Sequence, residues 1–133
     1  MQLDIVTPEE KAFSDKVESV VIPGSEGEMG ILPAHAPLVT ALAPGELRYL
    51  KDGEEISLAI GSGIVEISDD KIAVLTDMAM GEDDIDEAAV EEALASAERA
   101  LAEKHGSEEA AAMEAIIAKS LAQLHIKRRR RSL

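Results

Sequence analysis

The residues of this 133-residue chain that could do chemistry do not form a recognisable catalytic or metal-binding pattern. The three histidines, which are common in both kinds of site, are far apart at His35, His105 and His125. None stands in a spacing such as HExxH, which places two ligands on one helix face. There is no cysteine, which excludes disulfides and thiolate metal sites. We therefore expect neither a metal centre nor a disulfide.

Two glycine-containing segments resemble functional loops but lack essential residues. Gly61-Ser62-Gly63 does not complete the G-x-S-x-G pattern of a nucleophile turn and is flanked by strand-like sequence, so a tight β-bend is expected. Residues 24–30 carry glycine at every third position, but no Gly-Lys-Ser/Thr follows. Their two glutamates would also repel phosphate. With no nucleophile, base and oxyanion stabiliser, the chain is predicted not to be an enzyme by itself.

The charge of the chain is strongly acidic and unevenly placed. The formal net charge is −14, yet residues 127–131 form an unbroken basic run. An acidic body argues against general binding to nucleic acid or anionic membranes. No apolar run approaches the roughly 20 residues that span a bilayer, and the N-terminus lacks a secretory signal pattern. These features predict a soluble protein of a reducing compartment.

The first part of the chain, to about residue 80, carries the pattern of short β-strands. Leu3 and Ile5 alternate with polar or less apolar positions, as in a strand with one buried face. Asp52-Gly53 between two strand-like runs is a strong hairpin signal, and residues 68–70 form a second turn signal. The pattern predicts an antiparallel β-sandwich or barrel, which we place at residues 1–84.

Beyond residue 84 the apolar period becomes helical. The predicted stripes are Val90, Leu94, Ala97 and Leu101 in a first helix, and Met113, Ile117, Leu121 and Leu124 in a second. We expect Asp84 to cap the first helix and Ser107 the second. The short link favours an antiparallel helical hairpin over residues 85–133.

The hairpin has few large apolar residues because its facing positions are mostly alanine. Burying alanine contributes much less than burying leucine or isoleucine at about 25 cal/mol per Å². The hairpin should therefore dock weakly, which makes it a candidate moving part. The alternative is a static appendage.

The segment from Gly24 to Tyr49 carries a resemblance to a known family. It reads -SEGEMGILPAHAPLVTAL-PGELR-, with glycines and prolines that demand particular turns in a fixed order. It resembles the ε subunit of the F-type ATP synthase, called δ in mitochondria. The resemblance extends to DIVTPEEKAFSDKVESV before this segment and SGIVEI after it. It implies the same layout of a sandwich followed by a helix pair.

The resemblance also implies a function for the chain. Family members are non-catalytic subunits of the central stalk, or rotor, and help to couple proton or sodium flow to ATP synthesis. The implied partners are the γ subunit, the ring of membrane c subunits and the catalytic α and β subunits, with no nucleic acid. The implied location is peripheral, on the cytoplasmic face of the plasma (inner) membrane.

A ring-facing loop of the family matches residues 27–31 and 33–37. The positions that it would carry over as ring contacts are Glu28, Gly30, Ile31 and His35. Glu28 and His35 could instead be polar residues that stabilise a turn. The family usually has glycine where this chain has Ala34, so the corner must avoid positive φ there or accept strain.

The C-terminal helices of bacterial family members can extend along the shaft and inhibit ATP hydrolysis, with basic residues against acidic segments of the β subunits. The matching basic residues here are Lys127, Arg128, Arg129, Arg130 and Arg131. An acidic partner would attract such an end, most strongly at low salt. The run could instead be a tail that pairs with the acidic body, or a site for anionic lipid or RNA.

Some family members bind ATP through an Ile/Leu-Asp-x-x-Arg-Ala motif at the start of the first helix. The chain matches it at Ile85 and Asp86 but has Ala89 where the arginine stands. Alanine cannot make charge-assisted bonds to phosphate. No cofactor is therefore expected, and ATP binding should be weak or absent.

A different class of function also fits parts of the sequence. An acidic β-sandwich adaptor could use a basic-tailed helical hairpin to bind RNA, anionic lipid or an acidic protein. Such an adaptor would have no need of the GILPAHAPL motif. The motif therefore favours the ATP synthase subunit.

Overall fold

A computed structural model describes residues 1–34, 36–103 and 106–132, without the side chains of residues 107 and 129–132. Its strands are β1 (Gln2–Val6), β2 (Lys11–Lys16), β3 (Ser19–Gly24), β4 (Gly27–Ile31), β5 (Leu38–Leu42), β6 (Gly45–Lys51), β7 (Glu54–Ile60), β8 (Gly63–Ser68), β9 (Lys71–Thr76) and β10 (Ala79–Gly81). A 3₁₀ turn (Glu82–Asp84) leads to helices α1 (Glu87–Ala102) and α2 (Ser107–Ser132). The predicted fold class, a β-sandwich followed by a helical hairpin, is confirmed.

The strands form two layers. One layer has the order β4-β3-β6-β7-β10 and the other the order β5-β8-β9-β1-β2. They are joined where Gly24 of β3 pairs with Leu42 of β5. The described neighbours are antiparallel apart from β1 and β9, which run parallel. We call these the first and the second layer.

The core of the sandwich is built from the inward-facing residues of both layers. Its buried side chains are Leu3, Ile5, Val17, Val20, Ile22, Ile31, Leu42, Leu47, Tyr49, Ile60, Val65, Ile67, Ile72 and Val74. Phe13 and Tyr49 contact each other with ring centroids 4.7 Å apart. Each fully buried aliphatic side chain stabilises the fold by about 1.5–3 kcal/mol, so this core holds the sandwich together.

Both predicted turns are confirmed. Asp52 (φ 52°) and Gly53 (φ 77°) form a two-residue turn between β6 and β7, with the left-handed geometry that suits the twist of a hairpin. Asp69 (φ 45°) and Asp70 (φ 61°) do the same between β8 and β9. Aspartate tolerates positive φ better than bulkier residues because its short side chain is small and polar.

The start of the first helix differs from the expectation. The cap is Asp86, whose side chain accepts a hydrogen bond from the backbone N–H of Ala89 at 3.2 Å. Asp84 is not the cap, because it ends the 3₁₀ turn and is followed by Ile85 in extended backbone. At the start of α2, the Gly106 carbonyl accepts from the Ala110 N–H at 3.0 Å. The expected Ser107 side-chain cap lies outside the described side chains.

The helices pack as a hairpin against the outer face of the first layer, where α2 lies on β6 and β7. A second, smaller core forms there, and its buried members are Ala59, Ile85, Val90, Leu124 and Ile126. The expected stripe of α2 is partly wrong, because Leu121 is 52% exposed while Ser120 and Ile126 are buried. No helix in the described ranges is long and apolar enough to cross a membrane.

Candidate partner-binding sites

Glu28 lies exposed on β4 and is held by an ion pair. Arg48 on β6 reaches across β3 and places its Nη1 atom 3.0 Å from Glu28 Oε2. The same nitrogen lies 3.0 Å from Oε1 of Glu46, whose side chain is largely buried. The hydrogen bonds that Arg48 donates to Glu28 and then to Glu46 raise the pKa of Arg48 above its usual value. The side chain of Glu28 therefore has a preferred direction at the sheet surface.

The other expected ring-contact residues lie in different environments. Gly30 is exposed on β4, whereas the Ile31 side chain is only 1% exposed and belongs to the core. Leu32, which sequence reasoning passed over, is 66% exposed just beyond the strand end. Its signal was present, since the alternation that buries Ile31 turns the next residue outward. His35 lies outside the described residues.

Ala34, at the corner beyond β4, adopts the positive φ that was expected to cause strain. Its φ is 67°, in the left-handed region that favours glycine. The corner thus keeps positive φ without glycine, at a cost of roughly 1 kcal/mol.

An apolar row crosses the outer face of the second layer. Register places Ala41 of β5 beside Ile64 of β8, Ile64 beside Leu75 of β9, and Leu75 beside Val6 of β1. Ile64 is 49% exposed and Leu75 52%. Val39, two residues from Ala41 on β5, is 66% exposed. We call Val6, Val39, Ala41, Ile64 and Leu75 the apolar row.

The apolar row was not predicted from the sequence, although the sequence carries a signal for it. A strand with one face in water should carry polar residues on that face. Ile64 and Val65 are instead consecutive apolar residues, and Val65 alone faces the core. Apolar residues on both faces of a strand indicate that both faces are used.

The basic end of α2 contacts acidic groups of the same chain. Lys127 Nζ lies 3.2 Å from the main-chain oxygen of Glu82 and 3.6 Å from its carboxylate. Arg128 forms ion pairs with Glu87 and Glu91, which lie one turn apart on α1. The side chains of Arg129, Arg130 and Arg131 lie outside the described part. The described contacts hold the end of α2 against the start of α1.

The positions that match the nucleotide motif have structural roles here. Ile85 is buried in the second core, and Asp86 caps α1. Ala89 presents an exposed methyl group where the motif has arginine. Among the described side chains, no cluster of histidine and acidic residues could hold a metal ion. Ile85 and Asp86 thus support the start of the helix, and position 89 itself offers no charge to phosphate.

A family model and a curated relative place similar sequences in the same protein family. Residues 1–82 match the family model described as ATP synthase, Delta/Epsilon chain, beta-sandwich domain. The ATP synthase epsilon chain of Herpetosiphon aurantiacus is 38% identical over 132 residues, covering 99% of this chain and 97% of that protein.

Solved structures show the same fold at lower identity. A chain in the Euglena gracilis mitochondrial ATP synthase, described as OSCP/F1/c-ring, matches with a TM-score of 0.77 at 24% identity, over 92% of this chain and 78% of that chain. A chain of the Tetrahymena thermophila mitochondrial ATP synthase, described as central stalk/c-ring, matches with a TM-score of 0.64 at 11% identity, over 96% of both chains. The family match and the full-length relative show that this chain belongs to the delta/epsilon chains of ATP synthase, which are non-catalytic subunits of that complex.

Proposed function

We propose that the chain is a rotor subunit of an F-type ATP synthase that couples the ion-driven membrane ring to the catalytic head. The observation that carries this proposal is the apolar row on the outer face of the second layer. Ile64 and Leu75, its central pair, are each about half exposed in the isolated chain. A contiguous exposed apolar surface of this kind is typical of a protein–protein interface.

The occupant of the apolar row is the γ subunit. The outer face of the first layer is already occupied by the hairpin of this chain, whose α2 lies on β6 and β7. The described packing of α2 is on β6 and β7, whereas the apolar row lies on the second layer and runs across four strands. A central-stalk partner that lies along these strands would bury the exposed parts of Ile64, Leu75 and Val39.

Strand β4 and the corner beyond it contact the ring of c subunits. Glu28 and Gly30 of β4 would face the ring, and Ile31 would anchor the end of the strand in the core rather than offer its side chain. His35, outside the described residues, is proposed as a ring contact on the family resemblance. Leu32 adds an exposed apolar group at the same edge. Arg48 holds Glu28 in place by its ion pair. Together these residues give the edge one oriented carboxylate and one apolar contact.

The helical hairpin is an inhibitory arm for ATP hydrolysis. Its second helix has 26 residues, which corresponds to a rod of about 39 Å at 1.5 Å per residue. The basic residues 127–131 stand at the far end of that rod. In an extended arm they would meet acidic segments of the catalytic subunits, as charge complementarity requires.

The hairpin does not respond to ATP, because Ala89 offers no charge to phosphate. A titration with millimolar ATP that gave saturable binding to the isolated chain would overturn this. The chain acts at the cytoplasmic face of the plasma (inner) membrane, and its membrane association is indirect, through the rotor.

The rotor proposal is tested by binding to the cognate γ subunit. Ile64→Glu places a charge in the centre of the apolar row. Glu66 already lies two residues along the same strand, on the same exposed face. We expect the Kd to rise at least about tenfold, since a desolvated charge is costly at an interface. Ile116→Glu is the matched control, because Ile116 is an isoleucine 38% exposed on α2. Unchanged binding by Ile64→Glu, with the fold intact, would contradict the proposed docking face.

A further inference from the structure

Among the side chains that the structure describes, the ion pairs that hold the hairpin closed are concentrated at the basic end of α2. Arg128 lies between two carboxylates of α1, and Lys127 contacts both the main chain and the carboxylate of Glu82. Farther back on α2, Lys119 Nζ lies 3.4 Å from the Asp77 carboxylate on the sandwich. The docked hairpin therefore already binds acidic groups with Lys127 and Arg128, two of the five basic residues of the proposed inhibitory contact.

The apolar contribution to docking rests on few large side chains, so these ion pairs also influence the equilibrium. Among the described side chains of α2, the second core buries Leu124 and Ile126 as its large members, against Ala59 of β7 and residues at the start of α1. The side chains of Arg128 and Glu91 are each about half exposed. Ion pairs at such positions are weak and are screened by salt. A few weak pairs can still shift a docking equilibrium that is close to balance.

We propose that Glu82, Glu87 and Glu91 act as an internal acidic ligand, which occupies the basic end of α2 in the docked hairpin and competes with the acidic partner. We call these three residues the acidic clasp. The inference rests on the proposed inhibitory role of the basic end. A cation whose N–H groups are directed at the clasp cannot at the same time meet carboxylates of another subunit. Opening the clasp is then a condition for inhibition, and salt rather than a nucleotide sets the balance.

The clasp explains why the carboxylates stand where they do. Glu87 and Glu91 are separated by one helical turn, so both side chains face the same point on α2. Arg128 is the residue at that point. Glu82 precedes α1 by one short turn and faces Lys127, the neighbouring cation. The three acidic residues are thus placed opposite two consecutive basic residues, in the way expected of an acidic partner surface.

The test uses the full-length chain with two matched double variants. Glu87→Gln with Glu91→Gln removes the part of the clasp that holds Arg128. Glu92→Gln with Glu98→Gln is the control, because these are exposed glutamates of α1 without an ion pair to any described side chain. Both variants change the net charge equally and keep side-chain size.

Docking of the hairpin is measured without the enzyme. The chain has no native cysteine, so Glu9→Cys and Ala111→Cys, both at exposed positions, accept a pair of fluorophores that report the distance of α2 from the sandwich. We expect the clasp variant to lower the docking equilibrium constant about three- to tenfold at low salt. We also expect it to reduce the dependence of docking on salt. The control should match the unmodified chain.

The second measurement is inhibition of ATP hydrolysis by the cognate catalytic complex. We expect the clasp variant to inhibit at about three- to tenfold lower concentration than the control. Equal docking of clasp variant and control would overturn the clasp, whatever the hydrolysis result. The clasp variant could dock more weakly while none of the three chains inhibits hydrolysis. That result would overturn the inhibitory role and the competition, but the contact of the clasp with Lys127 and Arg128 would stand.

Discussion

Arg48 Nη1 lies 3.0 Å from Glu28 Oε2, which ties the exposed carboxylate of β4 across β3 to strand β6. The two residues are 20 positions apart in sequence, so the pair forms only after three strands have come together. The same guanidinium contacts Glu46, which together with residues of α2 such as Ala118 lines a groove between β6 and that helix. One cation therefore links the proposed ring-facing edge with the surface beside the docked hairpin.

Replacement of this cation should cost more than replacement of its exposed partner. Arg48→Gln removes the charge that faces two carboxylates, and one of them, that of Glu46, is largely buried. We expect a loss of about 1–2 kcal/mol in the free energy of unfolding, since the variant removes the charge of an ion pair whose carboxylate is largely buried. Glu28→Gln should cost less than about 0.5 kcal/mol, because Glu28 is exposed. Urea denaturation of both variants measures the difference, and equal losses would contradict it.

Glycine at position 34 should stabilise the chain. Ala34 has φ 67°, where an alanine is strained and a glycine is not. We expect Ala34→Gly to raise the free energy of unfolding by about 0.5–1 kcal/mol. Ala36→Gly, two residues on, is the control and should cost up to about 0.5 kcal/mol through the entropy of the unfolded chain. A destabilised Ala34→Gly chain in thermal unfolding would show that the strain is absent.

The stability of the sandwich should fall between pH 4 and pH 2 in a way that depends on Asp4. Hydrogen bonds from Ser14 and Gln2, and then the nearby Lys71, lower the pKa of Asp4 from 3.8 to about 2. Because the folded-state pKa is depressed, the stabilising effect is present above the ordinary pKa and is lost as pH falls through the folded one.

Asp4→Asn should therefore flatten the pH dependence of the urea midpoint in that window. The matched control is Glu9→Gln, which removes an exposed carboxylate in the loop after β1 that has no described hydrogen bond or ion pair. If Asp4→Asn and the unmodified chain lost stability in parallel between pH 4 and pH 2, the hydrogen bonds to Asp4 would not carry the effect.

Truncation of a side chain in the second core should weaken docking of the hairpin and leave the sandwich folded. Ile126 is 1% exposed and belongs to the second core, separate from the core of the sandwich. We expect Ile126→Ala to weaken docking by about 2–4 kcal/mol through lost burial and a residual cavity. Hydrogen exchange of α2 should accelerate while that of β3 and β8 stays slow. Leu121→Ala, at a half-exposed position of the same helix, should change neither.

The sequence predicted the strand region, both turns and the hairpin because each has a local cause. Asp52-Gly53 and Asp69-Asp70 place residues that tolerate positive φ between strands. The helix start was misplaced by two residues because several acidic residues in a row could each serve as a cap. The 3₁₀ turn ends at Asp84 and is followed by extended backbone at Ile85, so α1 begins after Asp86 and Asp86 becomes its cap.

The surfaces were less predictable because they depend on long-range register. The apolar row joins β1, β5, β8 and β9, and no local pattern shows that Val6 and Ala41 lie in one line. The pairing of Arg48 with Glu28 likewise needs the strand order. The buried face of α2 depended on how the helix is rotated against β7, which buried Ser120 and exposed Leu121. Helical period alone leaves that rotation open by about one residue.

The most direct test of the rotor and inhibitor proposal is ATP hydrolysis by the cognate αβγ complex. The full chain and a version that ends at Asp84 are added separately, and binding of each to γ is checked. We expect both to bind, because the apolar row lies within the sandwich, and only the full chain to slow hydrolysis. Equal hydrolysis with both bound chains would contradict the inhibitory arm, and failure of both to bind γ would contradict the rotor role itself.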